Sequence, residues 1–390
     1  MANTILTADV ILKEAKRVFK NSCPFITSME RSYDDTYEAM GAGAGDSIRI
    51  RRPMKYTMRT GKTMDTQNTT EDYVTLPRTN WNGIDMKFSQ KDLTLDITRF
   101  SELYIKPAIS ILASGVERAA MNTVYKQVYN AITLPVTNLD RDDVLEAQRM
   151  LTEFSAPEDG RYAVVSPKGQ ADLISQNASI FNPSKEVARQ YKTGSMGTMY
   201  GFDFGATANV VSHTTGADAT GAVDGASQTG ATLTVDGYSA APAEGDVVTL
   251  AGVYALNPVT QQSTGQLQRF VIGSGATTTS LPITPSIVIT GNQKTVSGSP
   301  ANDAVISTVG SASTAYPQNL FYQKQAFAFG SVDMALPKGL DFAARNSEDN
   351  LSMSIMSDFD IIGADMLTRL DILWGIITVT PEFATRVYGV

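Results

Sequence analysis

Hydrophobic positions along this chain keep no single spacing, and each change of spacing predicts a change of element. Near the start, Val10, Ile11, Ala15, Val18 and Phe19 fall on one side of a 3.6-residue wheel, which predicts an amphipathic helix. From Ser47 the period drops to two. Ile48 and Ile50 alternate with Arg49 and Arg51, and Met54, Tyr56 and Met58 continue at every second position. A polar tip follows, from Arg59 to Asp72, holding Gly61 and Lys62. A returning strand begins at Tyr73 with Val74 and Leu76, and Trp81, Ile84, Met86 and Phe88 carry a further alternating segment. The expectation is a long two-stranded hairpin. A hairpin alone is marginal in water, so this one is expected to lean on another chain. Helical spacing returns from about Phe100 to Asn130 through Leu103, Ile105, Ile109, Leu112, Val116, Ala119, Ala120, Thr123, Val124 and Val128. Pro107 near its start bends that helix or marks its true first turn.

Residues 140–210 alternate between the two periods. An N-cap region at Asn138–Asp143 precedes a helix through Val144, Leu145, Met150 and Leu151; Ala163-Val164-Val165 is a short buried strand, and Pro167 opens a second helix. Glycines at 194, 197, 201 and 205 with Phe202 and Phe204 predict strand and turn. The next hundred residues differ from everything around them. Between Thr214 and Ala315 the cations are Arg269 and Lys294 alone, and the acids are Asp218, Asp224, Asp236, Glu244, Asp246 and Asp303. Strand-length runs at Ala231–Val235, Asp246–Leu250, Gln266–Ile272 and Ser286–Thr290 are separated by glycines, which predicts a small sandwich or barrel. After Tyr316-Pro317 the mixed pattern resumes with strands at Leu320–Gly330, Leu351–Phe359 (strictly alternating) and Arg369–Thr380. The whole is an α+β host with an all-β module set into one of its loops, and the host is discontinuous in sequence.

Composition removes several functions. The net charge of −8 argues against a dedicated nucleic-acid binder. No run approaches the apolar length of a membrane span, and the first residues lack the pattern of a secretion signal, so a cytoplasmic start is expected. One cysteine, Cys23, excludes internal disulfides and reads as a small buried residue; one histidine, His213, reads as an ordinary loop residue with no acidic neighbour in sequence. The Gly41–Gly45 run lacks the strand and helix of a phosphate loop and reads as a joint. The adjacent acids Asp34 and Asp35, and Asp142 and Asp143, read as helix caps or turns. Ser166 and Asp172 have no base beside them. No catalytic, cofactor-binding or metal-ligating set is expected, and no enzyme. What remains is the hairpin. Arg49, Arg51, Arg52, Lys55, Arg59 and Lys62 line its rising strand, with Asp65, Glu71 and Asp72 at and beyond the tip. Such a row is either a solvated face or a candidate subunit interface docking on an acidic neighbour.

Four short stretches, in this order along the chain, resemble the major capsid (coat) protein of tailed double-stranded DNA phages, closest to the P-twenty-two type. They are Lys91-Asp92-Leu93 before the long helix, Gly245-Asp246-Val247-Val248-Thr249-Leu250-Ala251-Gly252-Val253 in the β-module, Asn319-Leu320-Phe321-Tyr322 with Ala326-Phe327-Ala328, and Leu373-Trp374-Gly375 with Thr380-Pro381-Glu382. The resemblance implies a Hong Kong ninety-seven-like fold. Its parts would be an N-terminal arm (1–45), an extended β-hairpin (46–90), a spine helix of a peripheral domain (91–135), an axial α/β domain (136–213 plus 317–360), an inserted barrel-like β-domain (214–316) and closing strands of the peripheral domain (361–390). It implies self-assembly through pentamers and hexamers into an icosahedral virion shell, made in the bacterial host cytoplasm. The implied partners are a scaffolding protein, a portal protein, decoration proteins, and packaged DNA held without sequence recognition, with no membrane and no cofactor. The alternative is a non-viral compartment shell or a carbohydrate-binding surface protein.

Overall fold

The fold is that of a computed structural model, which describes residues 8–31, 47–56, 58–64, 66, 72–89, 106–133, 138–177, 196–218, 220–337, 339–340, 342–348, 351–361, 363 and 365–389. In chain order its helices are α1 (Ala8–Ser22), α2 (Pro24–Ser28), α3 (Lys106–Val124), α4 (Arg141–Glu153) and α5 (Pro167–Asn177). The strands begin with β1 (Ser47–Arg51), β2 (Tyr73–Pro77), β3 (Asn80–Ser89), β4 (Ala131–Thr133), β5 (Arg161–Val165), β6 (Thr198–Met199), β7 (Phe202–Ala206) and β8 (Ser212–Thr214). They continue through β9 (Thr220–Val223), β10 (Gly230–Asp236), β11 (Val247–Leu256), β12 (Ser263–Ile272), β13 (Ser280–Ile287) and β14 (Val305–Thr308). The last are β15 (Ala315–Gln323), β16 (Phe327–Val332), β17 (Phe342–Glu348), β18 (Leu351–Asp360), β19 (Asp365–Thr378) and β20 (Ala384–Tyr388). The chain divides into two compact units. One comprises Met1–Ile50, Val74–Ala120 and Ala328–Ile377; the other comprises Arg51–Tyr73, Met121–Phe327 and Thr378–Val390.

The first unit is a five-stranded sheet, β16-β19-β18-β17, with β3 also paired to β19. Antiparallel pairing of β3 with β19 runs from Asp365↔Ser89 to Trp374↔Asn80, so the segment after the hairpin is bound to a strand almost three hundred residues away. Two residues make that register specific. Trp374 is buried, stacks on Phe329 at 5.7 Å between centroids, and donates its indole N–H to Asn82 Oδ1 at 2.8 Å. Gly375 lies so close to the backbone that a Cβ there would sit 1.7 Å from the Pro77 carbonyl oxygen, and only glycine fits. Helix α3 buries Ile109, Leu112, Ala113, Val116 and Ala120 at three- and four-residue spacing. Beside it Cys23 Sγ donates to the Ala113 carbonyl, and buried Glu117 accepts the Phe25 N–H at 2.9 Å. Helix α1 packs on β17 and β18, with Ala15 and Phe19 wholly buried.

The second unit holds a seven-stranded mixed sheet, β4-β20-β15-β5-β7-β6, with β8 also on β15, and a closed six-stranded barrel, β10-β13-β12-β11-β14-β9. Helix α4 begins with a reciprocal capping box. Asp140 Oδ1 accepts the Asp143 N–H at 3.1 Å, and Asp143 Oδ2 accepts the Asp140 N–H at 3.0 Å. Its apolar face (Val144, Ala147, Met150, Leu151) covers the sheet around Ala163, Val165, Phe202 and Phe321. The barrel has its own core, including Leu233, Val248, Leu250, Phe270, Ile272, Leu281, Ile283 and Ile306. Each such side chain contributes about 1.5–3 kcal/mol on burial, which lets a module with few charges hold itself together. Closure also leaves the barrel no open edge. The ends of the module are tied where β8 pairs with β15: Thr214↔Ala315, His213↔Tyr316 and Ser212↔Pro317.

Several expectations change. The long hairpin is divided: β1 and β2 form a two-stranded sheet, whereas β3 joins the sheet of the first unit, so the alternating segment from Trp81 is not an uncovered arm. Strand β1 stops at Arg51, and Met54 and Tyr56 are not in a strand. Within the described residues the spine helix starts at Lys106, with Pro107 in its first turn where no N–H is needed, and it gives way to a 3₁₀ turn at Tyr125–Gln127. Leu103 and Ile105 lie outside the described residues. The Leu320–Gly330 strand is broken by a 3₁₀ turn at Lys324–Ala326, and its halves enter different sheets. Strand β18 alternates in sequence, but Leu351–Ile355 is buried on both faces, serines included, because α1 covers one side. The barrel also takes in β9 and β14, short strands that composition did not mark. Sheet pairing sets β16 to β18 with β19 and sends β20 to β15, unlike the expected grouping of 317–360 with the α/β lobe and 361–390 apart from it.

Candidate functional site

The charged row of the hairpin is partly gathered and partly spread out. On β1 the side chains of Arg49 and Arg51 face solvent while Ile48 and Ile50 are buried. Arg52 pairs with Asp72 at 3.2 Å, and Lys55 Nζ lies 3.5 Å from Glu382, a partner that sequence spacing did not suggest. Arg59 donates to the carbonyls of Gly61 and Thr63, which folds the tip on itself, and Lys62 is exposed. Asp65 and Glu71 lie outside the described residues. Among these cations stand Tyr56, Met58 and Met64, 60%, 92% and 75% exposed.

The first unit carries an apolar groove of about 610 Å³ whose lining includes Trp81, Met334, Leu340, Met356, Leu367 and Leu373 together with Asp333 and Asp358. One wall is the β3–β19 pair. Arg369 lies over the Trp81 ring at 5.3 Å and holds buried Asp371 at 2.5 Å.

In the second unit His213 is not the loop residue that the sequence suggested. The residue is in β8, 4% exposed, and its ring is held at both nitrogens. The Tyr125 hydroxyl sits 3.3 Å from Nδ1, and Nε2 lies 2.9 Å from Asp246 Oδ1. The other oxygen of Asp246 accepts the N–H groups of Gly216 at 3.0 Å and Ala243 at 2.7 Å. A carboxylate can only accept, so Nε2 carries the proton and Nδ1 takes the phenol's. Next to this chain Arg386, wholly buried, donates to the Gly245 carbonyl at 3.0 Å and to Gln318 Oε1 at 3.2 Å, and its guanidinium lies over the Tyr125 and Tyr388 rings. Burial pushes the guanidinium pKa down, with Tyr388, Tyr125 and Asp246 opposing; burial also pushes the Tyr125 and Tyr388 phenols up. No sequence signal pointed here, because Tyr125, His213, Asp246 and Arg386 come from four distant segments.

A phenol, an imidazole and a carboxylate in a row have the order of a catalytic relay, but their burial leaves no room for a substrate at the phenol, which is 5% exposed as part of its residue. The arrangement holds elements together. The other candidate acids behave likewise. Asp143 serves the α4 cap, and burial pushes its carboxyl up to about 6. Burial raises the Cys23 thiol, with Glu117 adding to the effect, so it is a poor nucleophile. Asp34 and Asp35 lie outside the described residues. Among the described residues no cluster of His, Cys, Asp and Glu could hold a metal ion, and no helix is long and apolar enough to cross a membrane.

No curated protein matches the chain. Solved structures similar to it include a chain of Mycobacterium phage Che8 (12% identity, TM-score 0.49, covering 94% of this chain and 91% of that one). Others are the capsid of Cyanophage P-SCSP1u (12%, 0.46, 89% and 84%) and a virus-like particle from Pyrococcus furiosus (8%, 0.41, 96% and 96%). The assignment rests on sequence: the family described as "P22 coat protein - gene protein 5" matches residues 1–389. The chain therefore belongs to the P22 coat protein family, and it is a major capsid protein that forms the shell of a bacteriophage.

Proposed function

We propose that copies of this chain close an icosahedral shell around double-stranded DNA by laying the charged loop of one subunit on its neighbour. The family match along the chain carries this reading. The loop supplies Arg49, Arg51, Arg59 and Lys62 as the charged part of the contact and Tyr56, Met58 and Met64 as its apolar part. The groove beside Trp81, with Asp333 and Asp358 in its lining, offers the complementary surface. Charge then sets register and approach, and buried apolar area supplies the attraction. Heterologous contacts of this kind close into rings, here pentamers and hexamers, and rings into shells.

The finer partners belong to the same proposal: a scaffolding protein during assembly, a portal at one vertex, and decoration proteins outside. Synthesis is placed in the host cytoplasm. The net charge of −8 suits a wall that holds DNA without trapping it, so no sequence-specific contact is expected. The protein acts by geometry and not as an enzyme. The family match weighs against a carbohydrate-binding surface protein or a non-viral compartment.

Electron microscopy of the chain expressed with the scaffolding protein from its own genome tests the reading. Uniform closed shells are expected. Monomers alone under every condition would end it. The double change Arg59→Glu and Lys62→Glu is expected to leave a folded subunit and to reduce shell yield at least about tenfold. Normal yield from that variant would remove the loop from the interface.

A further inference from the structure

The seam between barrel and sheet in the second unit contains more than an apolar contact. Tyr129, Phe154, Val247, Val271, Tyr316 and Tyr388 cover one another there, and contacts of that kind have no preferred direction. Set within them are two opposite buried charges, Asp246 and Arg386, both 0% exposed. Neither is tolerable in the interior alone. Asp246 takes three N–H groups, from His213, Gly216 and Ala243, and Arg386 spans from the sheet to the barrel's Gly245 carbonyl, 141 residues away in sequence.

We infer that Arg386 is the bolt of a charge-balanced clamp: strand β20 carries it into the turn at Gly245-Asp246, and the barrel sits in its single docked orientation only when the bolt is in place. The barrel keeps its own core without the bolt, since that core draws on no residue of β20. The sheet likewise has its own pairing. What depends on Arg386 is their mutual locking. His213 extends the clamp by donating to the carboxylate, and the Tyr125 hydroxyl holds the far nitrogen of that ring. The inference does not depend on the shell reading, because it concerns the isolated subunit.

Amide hydrogen exchange on the full-length soluble subunit tests it. The N–H groups of Gly216 and Ala243 report the clamp; those of Val223 and Val235, bonded to the Ala304 and Thr279 carbonyls, report the barrel itself. Asp246→Asn and Arg386→Met are each expected to speed exchange at the two clamp amides by about tenfold or more, leaving the two barrel amides unchanged. The double variant D246N/R386M removes both charges together, so its effect is expected to stay no larger than that of the worse single variant. Effects that multiply in the double variant would overturn the inference, as would equal acceleration of clamp and barrel amides. Should the charge variants not fold, Arg386→Lys keeps the charge and loses the fork. A few-fold acceleration confined to Gly216 and Ala243 is expected of it, and wild-type exchange would overturn the inference.

Discussion

Single residues in this chain are fixed by what lies within a bond length or two of them. Gly375 faces the Pro77 carbonyl oxygen at a distance that admits no Cβ, and Trp374 beside it is both stacked and hydrogen-bonded. Gly375→Ala is expected to cost about 1–3 kcal/mol or more by overpacking, and Trp374→Ala about 3–5 kcal/mol by truncation; urea unfolding of the purified subunit measures both. Asp143 carries a different signature. Its folded carboxyl titrates near 6 against an ordinary 3.8, so between those values the folded chain holds a proton that the unfolded chain has released. Stability from this group therefore rises as the pH falls from 6 towards 4 and is lost above 6. Asp143→Asn keeps an acceptor for the Asp140 N–H and removes the titration. Its melting temperature, measured against wild type from pH 4 to 6.5, is expected to show a flatter profile; parallel profiles would show that Asp143 does not titrate there. The capping role of these acids was readable from sequence because a cap is local. The partners of His213 were not, since Tyr125 and Asp246 lie 88 and 33 residues from it.

Elements were legible in proportion to how much of their environment is local. Helix α3 announces itself through a buried stripe at helical spacing, and the barrel through glycine-punctuated runs. Strands β9 and β14 are four residues each and gain their status only by closing the barrel against β10 and β11. Strand β3 alternates as a hairpin strand would, and nothing in its own residues says that its partner is β19. The barrel gives the prediction at this scale. Removing Thr215–Ala315 and joining the ends would leave the host sheet its strands but strip the cover from Tyr129, Phe154, Tyr316 and Tyr388. The shortened subunit is expected to bind a hydrophobic dye and to lose most of its soluble yield. A soluble shortened chain with unchanged dye binding would show that these aromatics tolerate exposure.

Across the whole molecule, a net charge of −8 makes copies repel at a distance, so on the proposed reading the local cations of the loop are expected to steer encounter. Raising salt from about 0.05 to 0.5 M shortens the screening length from roughly 14 to 4 Å and is expected to weaken steering by that loop. Salt screens the repulsion too, so light scattering during assembly should show growth sped by salt more in R59E/K62E, whose added acids raise the repulsion, than in the wild type, where lost steering opposes the gain; equal salt sensitivity in both would place the controlling charges elsewhere. The three-residue pairing of β8 with β15 has a consequence of another kind. While the barrel is folded, the host sheet is presented with two neighbouring chain ends, already in register, as if joined by a tight turn. Should the barrel melt, the same ends become the feet of a floppy tether of about a hundred residues, whose closure costs on the order of 4 kcal/mol in chain entropy. A substitution deep in the barrel, touching nothing outside it, is thereby felt as slack in a sheet it never meets.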